Sequence, residues 1–346
     1  MKIVKYGPSI GIPALRERVA SYYNMFATDV AEGDVCVTTG ASEAILFALL
    51  SGCDHGDEVI IPEPFYANYL GFADLSHVHI VPITTRIEDH FALPTMADFE
   101  EVITAKTKAI FLCNPGNPTG QMYTRADLDQ LMVLVKKYNL FLIVDEVYRE
   151  FCYDQPFTSV LSYPDMGQHV IVIDSISKVF SACGARVGYL VTKNQELVNV
   201  ITKYANLRLC PPFYGQRLAL ACYDDSAKYI AAAKAEYVER REILYSGLSQ
   251  IPDITYYKPT AAFYNMIELP VNDAEDFCKW LLTDFEYEGA TVMLAPGSGF
   301  YFNKSLGRRQ VRIAYVLNEQ DLKAALKCLQ LGLMKYRSRE VSASIS

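Results

Sequence analysis

Seven short runs of aliphatic and β-branched residues set the limits on what this chain can fold into. They are VCVTT (35–39), EVIIP (58–62), HIVPI (79–83), KAIFLC (108–113), LFLIVD (140–145), HVIVID (169–174) and VGYLV (187–191). Their apolarity is nearly continuous rather than alternating, which marks strands buried on both faces, as in a mostly parallel sheet. Helix-like segments lie between them. SEAILFALLSG opens on Ser42 as a cap and stops at Gly52. TRADLDQLMVLVKKYN has Thr124 as its N-cap, Asp127 at the capping-box position, and Lys136 and Lys137 in the last turn, where cations meet the helix dipole. This alternation over residues 35–191 predicts an open α/β sheet with helices on both faces.

The pattern changes after Phe213. A long helical stretch runs to Ser249, followed by a strand pattern (ITYYKPTAAFYNMIEL), a helix (DAEDFCKWLLTDF), a strand region ending in VRIAYV, and a terminal helix from Asn318. This reads as a smaller α+β domain. A chain of 346 residues exceeds what one core organises, about 250–300 residues, so the division expected is 1–240 for the large domain and 241–346 for the small one.

Composition narrows the function. The formal charge is -8 and no dense Lys/Arg run is present, which argues against nucleic acid as a partner. No apolar run reaches the roughly 18 residues that span a bilayer, and MKIVKYGPSIG lacks a signal-peptide core. The nine cysteines form no CxxC pair and no zinc-type cluster, so they read as free thiols in a reducing compartment, with no bound metal. A cytoplasmic enzyme acting on a small molecule fits these limits.

In an open α/β sheet the ligand sits beyond the carboxyl ends of the strands. Asp145 ends a strongly apolar strand, and a carboxylate there needs a partner; it is a helix N-cap, a structural salt bridge or an anion facing a cofactor. Tyr148 follows three residues later. Lys178 stands after another strand end, with Ser175, Ser177 and Arg186 around it; the serines and the arginine suit a phosphate, and a desolvated lysine suits a Schiff base. CNPGNPTGQ forms a rigid turn that presents Asn117. In VTTGASEAI the backbone N–H groups of Ala41 and Ser42 open a helix and form an anion cradle. It is not a dinucleotide fingerprint, which weakens a nicotinamide reading.

NPGNPTG, DEVYREF and the SISK block with Gly184 and Arg186, in this order and spacing, resemble the class I/II aminotransferases of pyridoxal-phosphate (PLP) fold type I. The resemblance runs from KYGPSIGIPALRERV to VRIAYVLNEQDL. It implies a large domain with a mostly parallel seven-stranded sheet, a smaller α+β C-terminal domain, and transfer of an amino group from an α-amino acid to an α-keto acid. Lys178 would form the Schiff base and shuttle the proton. Asp145 would keep the pyridine nitrogen protonated, Tyr148 and Asn117 would bond the ring hydroxyl, and Tyr66 would stack on the ring. Ala41, Ser42, Ser175 and Arg186 would hold the phosphate, with Tyr6 reaching the phosphate of the other subunit of a homodimer. Arg312 would take the substrate α-carboxylate.

Two departures accompany the resemblance. Family members carry an N-terminal arm before the Tyr6 region; here Met1 comes almost immediately before Tyr6, so the chain is expected to be either a fragment or one that has lost the arm. Ser42 stands where the aspartate-specific prokaryotic branch has a lysine, so a dicarboxylic substrate is not supported. The same residues also serve β-lyases and decarboxylases of this fold, and a non-catalytic PLP-binding module is the reading from outside the enzymes.

Overall fold

The computed structural model describes residues 3–224 and 226–345, with residues 340–345 as backbone alone. All seven apolar runs enter one sheet, as β1 (Val35–Thr38), β2 (Glu58–Glu63), β3 (His79–Thr84), β4 (Thr107–Cys113), β5 (Phe141–Asp145), β6 (Val170–Ser175) and β7 (Gly188–Val191). The order is β1-β7-β6-β5-β4-β2-β3. Strand β7 is antiparallel to both of its neighbours and every other pair is parallel. The mostly parallel sheet read from the sequence is therefore present. Its register sets Cys113, Asp145 and Ile173 side by side, so the carboxyl ends of β4, β5 and β6 form one floor.

The continuous apolarity of the strands has a direct cause. Ile110, Leu112, Leu142 and Val144 join a core with Leu15, Val19, Leu128 and Leu131 on one face of the sheet. Their sequence neighbours Ala109, Phe111 and Ile143 join a second cluster with Ala44, Ile45 and Ile201 on the other. Side chains alternate between faces along a strand, so helices on both sides require apolar residues at every position.

Those helices are α1 (Pro13–Tyr23), α2 (Gly40–Gly52), α3 (Asn68–Leu75), α4 (Met96–Val102), α5 (Arg125–Tyr138), α6 (Ile176–Val179), α7 (Gln195–Arg208) and α8 (Phe213–Asp224). In α5 the capping box forms as expected: Asp127 N–H donates to Thr124 Oγ1 and Thr124 N–H donates to Asp127 Oδ2. Helix α2 differs from expectation. It begins at Gly40 with Thr39 as its N-cap, so Ser42 lies inside the first turn and does not cap it. Glu43 takes that role from within the helix, accepting the Thr39 N–H at 2.8 Å.

The long helical stretch after Phe213 divides into α8 and α9 (Ser226–Leu248). Beyond it, β8 (Tyr264–Glu268), β9 (Ala295–Pro296) and β10 (Gln310–Ala314) form an antiparallel sheet ordered β8-β10-β9. Only the last part of ITYYKPTAAFYNMIEL becomes a strand, because the segment before it turns through Pro259 and through Ala262, whose φ is 55°. Helices α10 (Ala274–Thr283) and α11 (Glu319–Ile345) complete the fold. This region has its own core, which gathers Ile267, Val311, Phe277, Leu281, Leu329 and the end of α9. That core also takes in Val147, Tyr148 and Phe151 from the chain just after β5. Tyr148 thus sits where the large sheet meets the second core.

Among the described residues, no helix is long and apolar enough to cross a membrane.

Candidate active site

Asp145 is the last residue of β5 and is only 5% exposed. Its Oδ2 accepts the Tyr69 hydroxyl at 3.0 Å and its Oδ1 accepts the Val147 N–H at 3.2 Å. Burial nonetheless pushes its pKa up to about 6, outweighing the two hydrogen bonds that favour the anion. A carboxylate held this way is a strong acceptor for a protonated group brought into the cleft.

One strand over, Ser175 ends β6 and caps the single turn of α6, accepting the Ser177 N–H at 3.2 Å. The turn presents Lys178, half-buried, with Nζ 6.0 Å from the centre of the Tyr148 ring. The chain then reaches Arg186 in the left-handed region, with φ 52°. Its guanidinium donates to the carbonyl oxygens of Cys183 at 3.1 Å and Thr39 at 3.4 Å, which brings it to the start of α2. Two glycines make room for this approach. A Cβ on Gly40 would lie 2.3 Å from Arg186 Nη2, and one on Gly188 would lie 2.4–2.7 Å from the backbone of Gly40 and Ala41. The N-terminus of a thirteen-residue helix, an arginine and two serines thus line one concave corner built by the absence of side chains.

The opposite wall comes from the NPGNPTG turn and the smaller sheet. Both Asn-Pro bonds of the turn are cis. Asn117 Oδ1 accepts Arg312 Nη1 at 2.9 Å, which leaves the Asn117 amide nitrogen to donate. The guanidinium carbon of Arg312 lies 4.6 Å from the Tyr264 ring centre and 4.9 Å from that of Phe300. Its Nε is buried without a hydrogen-bond partner among the described residues. An arginine stacked between two rings, with an N–H left over, is preorganised for a carboxylate. Tyr66 stands at the rim with its ring 5.4 Å from that of Tyr69.

The cleft enclosed by these groups has a volume of about 280 Å³, close to the lower end of the roughly 300–1,000 Å³ of small-ligand and cofactor sites. Ala41, Ser42, Tyr66, Asn117, Asp145, Tyr148, Ser175, Lys178, Arg186 and Arg312, all singled out from the sequence, line it together. Tyr6 does not; it lies on a segment without regular secondary structure and is 82% exposed. Sequence reasoning missed Tyr69, which holds Asp145, and Tyr264, which touches both Tyr148 and Arg312. Tyr69 lies three residues past Tyr66, and its N–H closes a turn on the Tyr66 carbonyl at 2.9 Å. Tyr264 carried no signal, since a tyrosine in an apolar strand reads as core.

A β-sheet floor, a lysine on a one-turn helix, a buried aspartate and a glycine-built anion corner define an enzyme of the aminotransferase fold. The description of the family "Aminotransferase class I and II" matches residues 1–329, and the chain belongs to that family. It is 30% identical to an aspartate aminotransferase of Sulfurisphaera tokodaii, over 93% of this chain and 80% of that one. Among solved structures it resembles an aromatic aminotransferase from Pyrococcus horikoshii, with a TM-score of 0.89 and 28% identity over 96% of this chain and 88% of that one. It likewise resembles an aspartate aminotransferase from Thermotoga maritima, with a TM-score of 0.86 and 29% identity over 95% and 84%.

Proposed function

We propose that the chain is a pyridoxal-phosphate-dependent aminotransferase that moves the amino group of an α-amino acid to an α-keto acid, with Lys178 as the covalent anchor. The observation that carries this reading is the meeting of Lys178, Asp145 and the Gly40–Gly188 corner in one cleft. The donor set fits the cofactor. The N–H groups of Ala41 and Ser42, the Ser175 hydroxyl and Arg186 suit its phosphate, Asp145 its ring nitrogen, Tyr148 and Asn117 its ring oxygen, and Tyr66 its ring face. When bound, pyridoxal phosphate supplies the electron sink that lets a proton leave the α-carbon of the amino acid. Lys178 Nζ takes that proton and returns it, and Arg312 grips the α-carboxylate so that the α-carbon faces the lysine.

The active form is a homodimer in which the exposed Tyr6 segment reaches the partner's cleft, and residues 1–240 and 241–346 are its large and small domains. The cytoplasm suits nine free cysteines. The substrate is an α-amino acid; among the described residues lining the cleft, no cation beyond Lys178, Arg186 and Arg312 is present to pair with a second carboxylate.

The test is a screen of the twenty amino acids against protein loaded with pyridoxal phosphate. Loss of the visible absorbance together with release of the matching α-keto acid supports transfer. Release of ammonia or carbon dioxide without re-amination supports a lyase or decarboxylase instead. Lys178→Ala should abolish both the absorbance and turnover, and unchanged activity in that variant refutes the assignment.

A further inference from the structure

Tyr264 is the ring that the smaller sheet contributes to the cleft, and it touches two functional groups through two different parts of its side chain. Its hydroxyl oxygen lies 3.2 Å from that of Tyr148, both tyrosines being buried. Its ring face lies 4.6 Å from the Arg312 guanidinium carbon. The sheet register explains the second contact. Tyr264 pairs with Ala314 while Arg312 pairs with Met266, so Tyr264 and Arg312 are diagonal neighbours on one face. The backbone is equally constrained, for a Cβ on Gly120 would lie 2.1 Å from the Tyr264 carbonyl oxygen, and Ala261 N–H donates to Gly120 O at 2.8 Å. The turn that supplies Asn117 therefore also holds Tyr264 in place. Burial raises the pKa of both phenols, so both are protonated and able to donate at neutral pH.

We infer that Tyr264 is a positioning residue for both halves of the site: its hydroxyl donates to the Tyr148 oxygen and aims the Tyr148 proton at the cofactor's ring oxygen, while its ring seats Arg312. The inference rests on the reading of Tyr148 as the cofactor's hydrogen-bond donor. A donor that itself accepts a hydrogen bond is a stronger donor, because the two bonds polarise one another. Negative charge on the cofactor's ring oxygen is then better stabilised, and the adjoining nitrogen of the lysine linkage is less basic.

The experiment is a pH titration of the visible absorbance of the cofactor-loaded protein, together with KM for a donor amino acid. Tyr264→Phe removes the hydroxyl and keeps the ring. It should raise the titration midpoint by about 0.5–1 unit, the worth of one buried hydrogen bond, and leave KM within about twofold. Tyr264→Leu removes both contacts and should add a rise in KM of about tenfold. In a Tyr148→Phe background, Tyr264→Phe should no longer move the midpoint, because the bond it removes is already gone. An unmoved midpoint in the Tyr264→Phe protein overturns the inference, as does an equal shift with and without the Tyr148 hydroxyl. A KM unchanged by leucine overturns the seating of Arg312. Failure of the unsubstituted chain to develop any cofactor absorbance overturns the cofactor reading itself, and this inference with it.

Discussion

Replacing Asp145 with asparagine should make the cofactor-free protein more stable at pH 8, though it removes the carboxylate proposed to hold the cofactor's ring nitrogen. Asp145 titrates at about 6 in the folded chain against 3.8 for an unperturbed carboxyl, with burial as the main cause. An acid whose folded pKa is raised binds its proton more tightly in the native state. Stability therefore falls as pH rises from about 4 to 6, and the full penalty stands above 6. A rise of roughly two units is worth about 3 kcal/mol. Asparagine cannot ionise, so it escapes this penalty, but it disturbs a hydrogen bond from Tyr69 or Val147 at a cost of about 1 kcal/mol. The net gain at pH 8 is about 2 kcal/mol, and near pH 4 the variant should be equal or less stable by about 1 kcal/mol. Urea unfolding of the apo protein at pH 4, 6 and 8 measures the difference. A stability difference that does not change sign or size between pH 4 and 8 refutes the reasoning.

Arg312→Ala should raise KM for the amino acid by about a hundredfold, the loss of a paired charge-assisted contact, while cofactor affinity stays within about threefold; an unaltered KM counts against its role. Gly188→Ala would put a methyl 2.4–2.7 Å from the Gly40 and Ala41 backbone. It should weaken cofactor binding by about 5- to 150-fold, given that overpacking costs about 1–3 kcal/mol, and equilibrium dialysis would detect it. Arg149 and Asp174 form an ion pair at 2.5 Å with both side chains 1% exposed, joined by the Tyr23 hydroxyl at 3.1 Å. Arg149→Met leaves Asp174 buried and uncompensated and should cost about 3–5 kcal/mol in urea unfolding, with part recovered by adding Asp174→Asn. A loss below about 1 kcal/mol would refute the pairing.

The parts of this molecule that were legible in the sequence are those fixed by local pattern. Strands covered on both faces must be apolar throughout, so all seven could be read, and polar residues at their ends, such as Asp145 and Ser175, stand out against that background. The capping box at Thr124 and Asp127 is likewise a three-residue signal. What stayed hidden depends on residues far apart in the chain. Helix α2 starts at Gly40 rather than Ser42, with Glu43 accepting the Thr39 N–H, and nothing near residue 40 records that Arg186 and Gly188 come to meet that start. Tyr264 looks like any strand tyrosine until β8 is laid beside β10 and against the turn at Gly120. Tyr69 gains its meaning only from β5.

The place of β1 in the sheet has a consequence for how the protein is made. Among the described residues, β1 pairs within the large sheet with β7 alone, the last strand of that sheet to emerge, in the register Val35↔Val191 through Thr38↔Gly188. The same pairing closes the Gly40–Gly188 corner that suits the phosphate. An N-terminal piece of the chain ending before Gly188 thus has neither a partner for its first strand nor an anion corner. Closing so long a loop is slow relative to local pairing. Anion binding at this corner is therefore expected late in biogenesis, and a ligand that bridged α2 and β7 would rivet the first-made strand to the last. Partial proteolysis of nascent or refolding chains should find β1 the last strand to become protected, and added pyridoxal phosphate should hasten that protection.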